Sequence, residues 1–363
     1  MKLSDGKIGI RECTTVIIMM MGIKFSDTTP ALLFQEGKNA AWTIPLINGA
    51  VMLLPLLCLL QLVKKHKDKG LIDIIYQLTG KYCGFLISAA LFIVSLIATA
   101  FNSRSYADIM GTLFYPTTPL ILIYVLIIGF SCYVAVTGIE GISRTAYITI
   151  PYILLTTFVL IFSLVDELEW KYLFPLAGPG IPVLLKEGIM KSSLFGDILY
   201  VAVLFPFVRN YRDFKISSYI SFLFSIGALA LFLAVYIMVF DTPGVELIAF
   251  HYQEITRFVK IGEFFTNTEA FFLIFWVVAS IVHFAVYLFI TTIIFSQMIG
   301  VHKYKPLLAP IAGLVVAIGL VPENYVQAIF IGRSTLLDVS SFFLIMLPPL
   351  LWILSLLRRG TSP

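Results

Sequence analysis

Charge is what this sequence has least of. Asp, Glu, Lys and Arg make up 13% of its 363 residues against 59% hydrophobic ones, where soluble domains carry roughly 25% charge. With a mean hydropathy of +0.96, this excludes an ordinary water-soluble domain and describes a chain whose solvent is mostly lipid. Cysteine is also scarce: Cys13, Cys58, Cys83 and Cys132 stand singly. They lack the close spacing of a metal site or redox pair and read as packing residues. No Ser/His/Asp set, phosphate-cradling glycine loop or paired metal ligands occur. The expectation is therefore no enzyme activity, no direct use of ATP, and no cofactor. The net charge of +4 suits loops near anionic lipid rather than a nucleic-acid surface.

What the sequence does have is apolar length. A helix needs roughly 20 mostly apolar residues to cross about 30 Å of hydrocarbon. Ten such stretches fill the chain: 10–34, 41–63, 84–111, 118–137, 143–165, 188–208, 214–240, 269–298, 306–321 and 336–357. The expected fold is all-α, integral to the membrane, with ten transmembrane helices in one domain over residues 1–363. The first stretch is too long and too polar in its middle for a signal peptide and is expected to be retained.

Lys/Arg bias in short loops sets the orientation. With the N-terminus inside, the cytoplasmic side receives Lys2, Lys7, Arg11, Lys64, Lys65, Lys67, Lys69, Lys81, Arg144, Arg209, Arg212, Lys215, Lys303, Lys305, Arg358 and Arg359, 16 of the 25 basic residues. The opposite loops carry Asp166, Glu167, Glu169, Asp241, Glu246, Glu254, Glu263, Glu323 and Asp338. An even number of spans returns the C-terminus inside. Two surface helices are also expected: an interfacial one in 64–82, where Leu71, Ile72, Ile74, Ile75 and Leu78 form an apolar face, and an outer one in 241–268, where Ile255, Phe258, Val259, Phe264 and Phe265 recur.

Ten spans divide five plus five, approximately 10–165 and 188–357, and an odd-numbered repeat must be inverted. Inverted repeats commonly carry an interrupted helix at matching positions, with the binding site between them. Span 1 meets Gly22, Lys24, Ser26, Asp27, Thr28, Thr29 and Pro30; span 6 meets Ser192, Ser193, Gly196 and Asp197, then Pro206. Glycine costs about 1 kcal/mol and proline about 3 in a helix interior, and backbone freed there must line protein or a wet cavity. Both helices are expected to be broken.

Ionisable residues inside spans are few and informative: Lys24 and Asp27, Arg104 and Asp108, Asp197, and His283. Lys24 and Asp27 neutralise each other if their stretch stays helical; if it unwinds, either is free to meet a ligand. Asp197 has no local basic partner, which makes Lys24 the natural one and links the two breaks. Arg104 and Asp108, four apart, read either as a solvated or snorkelling pair or as part of an outer vestibule. His283 reads as a packing residue or a proton relay. Thr291 and Thr292 suggest a cation site, unless they bond their own backbone. Glu140 and Arg144 have the spacing of a helix-surface pair at a cytoplasmic turn.

The segments Gly138-Ile139-Glu140-Gly141-Ile142-Ser143-Arg144 and Lys171-Tyr172-Leu173-Phe174-Pro175-Leu176, an outer-loop Gly188, and Glu269 with Trp276 resemble the B-subunit of spore germinant receptors, within the amino acid-polyamine-organocation superfamily. That resemblance implies a LeuT-type fold, the inner membrane of a spore, and a complex with a receptor A-subunit and a lipoprotein C-subunit. It also implies a small germinant, an amino acid or similar polar solute. The ligand-binding residues expected on this basis are Gly22, Ile23, Lys24, Phe25, Ser26, Asp27, Asn102, Ser193, Phe195, Gly196, Asp197 and His283. In such a fold the half-helix N-terminus near 26–28 favours a ligand carboxylate, and the carbonyls near Met21 and Gly22 its ammonium. Lys24 and Asp27 depart from the small or apolar residues usual in permease relatives. The alternative reading is a proton-coupled amino-acid permease with Asp197 or Lys24 titrating.

Overall fold

The computed structural model describes residues 6–66, 69–259 and 268–357. Lys2, Lys67, Glu263, Phe264, Phe265, Arg358 and Arg359, invoked above, lie outside them. Among the described residues the structure is helical throughout, with one isolated parallel bridge between Ile8 and Val208. Six helical stretches are long and apolar enough to cross a membrane, or seven if one pair bent by 48° counts as a single span; two further apolar helices are shorter. Large apolar side chains such as Leu155, Phe158, Phe162, Phe342 and Leu350 stay exposed along these helices. Soluble monomers rarely expose contiguous apolar surface of this kind. The chain is an integral membrane protein.

The helices are α1 (Ile10–Met21), α2 (Thr29–Gly37), α3 (Ile44–Lys65), α4 (Leu71–Leu113), α5 (Leu120–Val136), α6 (Gly138–Ser163), α7 (Ile181–Met190), α8 (Asp197–Val201), α9 (Tyr211–Leu247), α10 (His251–Phe258), α11 (Thr268–Ile299), α12 (Lys305–Gly319) and α13 (Ser334–Leu357). Gly80, at φ +82°, divides α4 into a short amphipathic turn with Leu71, Ile74 and Ile75 buried and a long apolar helix. That conformation is one glycine adopts readily. Asp241 interrupts α9 in the same way, and its carboxylate accepts the N–H of Gly244 at 2.7 Å.

Both expected interruptions are present. Between α1 and α2 lies a 3₁₀ turn, Lys24–Ser26, and α2 restarts with Pro30 in its first turn, where a missing N–H costs nothing. Asp27 Oδ1 accepts the N–H of Thr29 at 2.6 Å, a side-chain oxygen doing the work of an N-cap. The second break places a 3₁₀ turn, Ser192–Phe195, between α7 and α8, and a further 3₁₀ stretch, Ala202–Phe207, carries the chain past Pro206. The two interrupted elements are tied at one end, because Ile8 N–H donates to Phe207 O at 2.8 Å and Arg209 N–H to Ile8 O at 3.0 Å.

Three of the differences from the sequence reading bear on the site. The second interrupted element begins at Ile181 rather than 188, so Gly188 is a helix residue and not part of an outer loop. The last helix begins at 327 with a π-helical turn, Gln327–Arg333, instead of at 336, which brings Arg333 into the interior. The outer helix α10 is not laid on the surface but tucked in, with His251, Tyr252 and Ile255 buried. Of the four cysteines, Cys13 and Cys58 are buried as packing residues are, Cys132 is half-buried and Cys83 is exposed.

Candidate ligand-binding site

A helix that stops at Met21 leaves its last carbonyls without their usual partners, and inside a bilayer these groups must be met by protein. The partners come from α9, α10 and α11. His283 Nδ1 on α11 lies 2.6 Å from Met19 O, and Tyr287 OH, one turn on, donates to Met20 O at 3.4 Å. Tyr236 OH on α9 donates to Phe25 O at 2.8 Å. Trp276 Nε1 on α11 and Gln253 Nε2 on α10 both donate to Ser26 O, at 3.1 and 3.4 Å. Phe25 itself is stacked on Phe232 with ring centroids 3.9 Å apart.

The two breaks meet through Lys24. Its ammonium, buried with its side chain 6% exposed, pairs with Asp197 Oδ2 at 2.5 Å and donates to Leu194 O in the second break. Tyr287 OH donates to the same Asp197 oxygen at 2.7 Å. The chain's own cation therefore bridges the two interrupted helices. Gly196 lets the second break pack against α13: a Cβ there would lie 2.5 Å from Leu344 Cδ1 and 3.1 Å from Ser193 O. At Gly22 a Cβ would lie 2.8 Å from Ile18 O and 3.2 Å from a ring carbon of Phe224.

Lys24 and Asp27 do not pair with each other. Asp27 Oδ2 pairs instead with Arg333 at 2.8 Å, and the same guanidinium donates to the hydroxyls of Thr28 at 2.6 Å and Thr29 at 2.7 Å. A span starting at 336, as the sequence alone suggests, leaves Arg333 outside it, whereas the helix starts at 327. The apolar run Val326, Ala328, Ile329, Phe330 and Ile331 immediately before Arg333 was the signal. Lys191 is also outside the expected set; buried at the end of α7, it pairs with Asp338 at 3.3 Å and Glu187 at 3.7 Å. The helix that supplies Asp338 and Arg333 also holds Ser193, whose N–H donates to Ser341 Oγ and whose hydroxyl donates to Leu337 O, both at 2.7 Å.

Of the expected site residues, Lys24, Asp197 and His283 converge with Tyr287 at the breaks. Ile23 and Phe25 face the side of α6 and α9, where they line a cavity with Gly22. Phe195 is buried edge-to-face on Phe222, Ser193 is committed to α13, and Asn102 is buried on α4 outside this set of bonds. Four residues beyond Asn102, Tyr106 lies fully buried, stacked at 4.7 Å on Trp276, with its hydroxyl unpartnered among the described residues.

The solvated reading of Arg104 and Asp108 does not hold. Both are buried, 3.0 Å apart, and Arg104 donates to Gly319 O and Pro322 O at 2.8 and 3.2 Å, closing the C-terminal end of α12. The hydroxyls of the two α11 threonines are bonded within the helix and to α4. Thr292 bonds Leu288 O at 2.6 Å, and Thr291 meets Ser95 of α4 at 2.6 Å. Glu140 and Arg144 form the expected exposed pair at 2.5 Å. In α10, His251 Nε2 lies 2.8 Å from Val245 O, and burial pushes its pKa down to about 4, so the ring is neutral at neutral pH.

A family model described as "Spore germination protein" matches residues 8–328. YfkT of Bacillus subtilis (strain 168) is 26% identical over 263 residues, 71% of this chain and 70% of that protein. Spore germination protein KB of the same organism is 20% identical over 366 residues, 98% of this chain and 96% of the relative. Among solved structures, MHP1, a nucleobase-cation-symport-1 family transporter in a closed conformation with bound bromovinylhydantoin, superposes with a TM-score of 0.69 at 14% identity, over 94% of this chain and 78% of that one. At that identity the likeness concerns the fold alone, which is a transporter-like, LeuT-type one.

Proposed function

The chain belongs to the spore germination protein family, and from that premise we propose that it is the ligand-sensing membrane subunit of a spore germinant receptor, of the B-subunit type. Joining α1 to α2 and α7 to α8 across their breaks, and reading α5 and α12 as short spans, gives ten spans in one domain with inverted halves near 10–165 and 181–357. On this reading the basic loops and both termini face the cytoplasm, and the membrane is the inner membrane of the spore. The protein is no enzyme; it passes a ligand-dependent change to a receptor A-subunit and a lipoprotein C-subunit.

The observation that carries the proposal is the Lys24 ammonium lodged between the breaks on Leu194 O and Asp197. It ties the two half-helix pairs together through the chain's own cation. A germinant with its own ammonium, such as an amino acid, competes for Leu194 O and Asp197 and releases Lys24. The freed Lys24 then meets the ligand carboxylate beside the α2 N-terminus. A ligand shifts such an equilibrium only by binding the opened state more tightly, and about 5.5 kcal/mol of difference takes it from 1:99 to 99:1.

Germination of a deletion strain, tested across a panel of amino acids, sugars and nucleosides, identifies the germinant as the compound whose response is lost. Complementation with the wild-type chain restores that response, whereas Gly196→Val, driven into Leu344, leaves the protein in the membrane and the response absent. Normal germination of the Gly196→Val strain would refute the site. The second reading, a proton-coupled amino-acid permease, draws on the buried Lys24, Asp197 and Tyr287 set. Uptake of labelled amino acid by the purified chain in proteoliposomes would favour it.

A further inference from the structure

A cavity of about 290 Å³ lies against the first break, between α1, α6 and α9, with neither Lys24 nor Asp197 in its lining. Its floor is Gly22 with Ile18 and Met19, its walls are Ile150 and Phe224, and Thr157 supplies the one polar side chain of the lining. At roughly 30 Å³ of liquid per water, the volume would hold about ten waters, but a buried water needs two to four polar partners and an apolar cavity of this kind stays dry. Left empty, it would forfeit the dispersion contacts of its lining. A second space of about 20 Å³, near Ser26 and Trp276 and sharing Ile23, Phe25 and Thr157 with the first, has room for about one water.

What fills the larger cavity is decided by where it opens. Leu154 of α6 and Leu231 of α9 line it and are 45% and 49% exposed. The neighbouring Leu155 and Phe158 of α6 and Leu223 of α9 are 60–65% exposed, so this is the apolar surface that the membrane covers. Gly227 also lines the cavity, is itself exposed, and a Cβ there would meet nothing within 4 Å. The opening is therefore unobstructed, and what lies outside it is hydrocarbon. We propose that this cavity is a binding site for the acyl chain of a bilayer phospholipid, which enters between α6 and α9 and packs against the unwound turn at Gly22–Phe25. The Lys24 side chain is not part of the lining, and the proposal does not depend on germinant sensing.

The test uses the full chain reconstituted in vesicles of phosphatidylglycerol and phosphatidylethanolamine, doped with a phospholipid carrying a diazirine within its acyl chain. After photolysis, digestion and mass spectrometry, adducts are expected on Met19, Thr157 and Phe224 as well as on the outward-facing Phe158. Gly227→Phe, which closes the opening, is expected to abolish the interior adducts and leave labelling of Phe158 unchanged. Gly227→Val, a smaller plug, is run beside it to guard against misassembly and is expected to reduce them. Adducts confined to outward-facing side chains in the wild-type chain, or interior adducts that persist in both plugged variants while Phe158 is still labelled, would overturn the proposal.

Discussion

A lysine with 6% of its side chain exposed is stable inside a bilayer only because its charge is answered by Asp197 and a carbonyl the second break leaves free. Removing one partner of a buried pair costs about 3–5 kcal/mol, whereas removing both and filling the space is often neutral. The same reasoning applies to His251, with opposite sign for its charged form. Its pKa in the fold is about 4 against an ordinary 6.5, so the unfolded chain takes up the proton first as pH falls. The neutral ring's stabilisation is fully present above about pH 6.5 and is lost as pH drops toward 4, by about 2 kcal/mol at pH 5. Thermal unfolding in detergent at pH 7.5 and 5 should therefore show an acid-induced loss that His251→Gln diminishes; an identical pH response in the variant would contradict it.

At the scale of elements, α13 and the π-helical turn before it serve both breaks. Arg333 holds Asp27 and the hydroxyls that open α2, while Asp338, Leu337 and Ser341 hold Lys191 and Ser193. π-helical turns are rare and frequently mark functional sites. Arg333→Leu leaves Asp27 buried without its cation and is expected to cost about 3–5 kcal/mol in a melting experiment. Arg333→Lys keeps the charge but loses the fork that reaches Thr28 and Thr29, and should fall between that variant and the wild type. The breaks themselves were legible because glycine, proline and short polar residues interrupt otherwise apolar runs, and the Lys24–Asp197 link because Asp197 had no local partner. Arg333 was not, since a cation next to polar Ser334 and Thr335 reads as the loop before a helix. The donors that cap Met19, Phe25 and Ser26 were also hidden, since nothing in the spacing of Tyr236, Gln253 or Trp276 tells which distant carbonyl each one meets.

For the whole molecule, the basic loops and the acidic loops fall on opposite faces in the ten-span reading. Impermeant maleimide should label Lys303→Cys only from the cytoplasmic side and Glu167→Cys only from the outside, in a background where Cys83 is replaced by Ser; the reverse pattern would invert the topology. The whole account turns on one contact between distant parts of the chain, residues 24 and 197. The most direct measurement is a double-mutant cycle on Lys24→Met and Asp197→Leu, read by unfolding of the purified protein. The account predicts that each single variant loses about 3–5 kcal/mol and that the double loses no more than either single, so that the coupling is at least about 3 kcal/mol, at the upper end of what contacting residues give. Losses that simply add, within about 0.5 kcal/mol, would mean that the two broken helices are not joined through this pair.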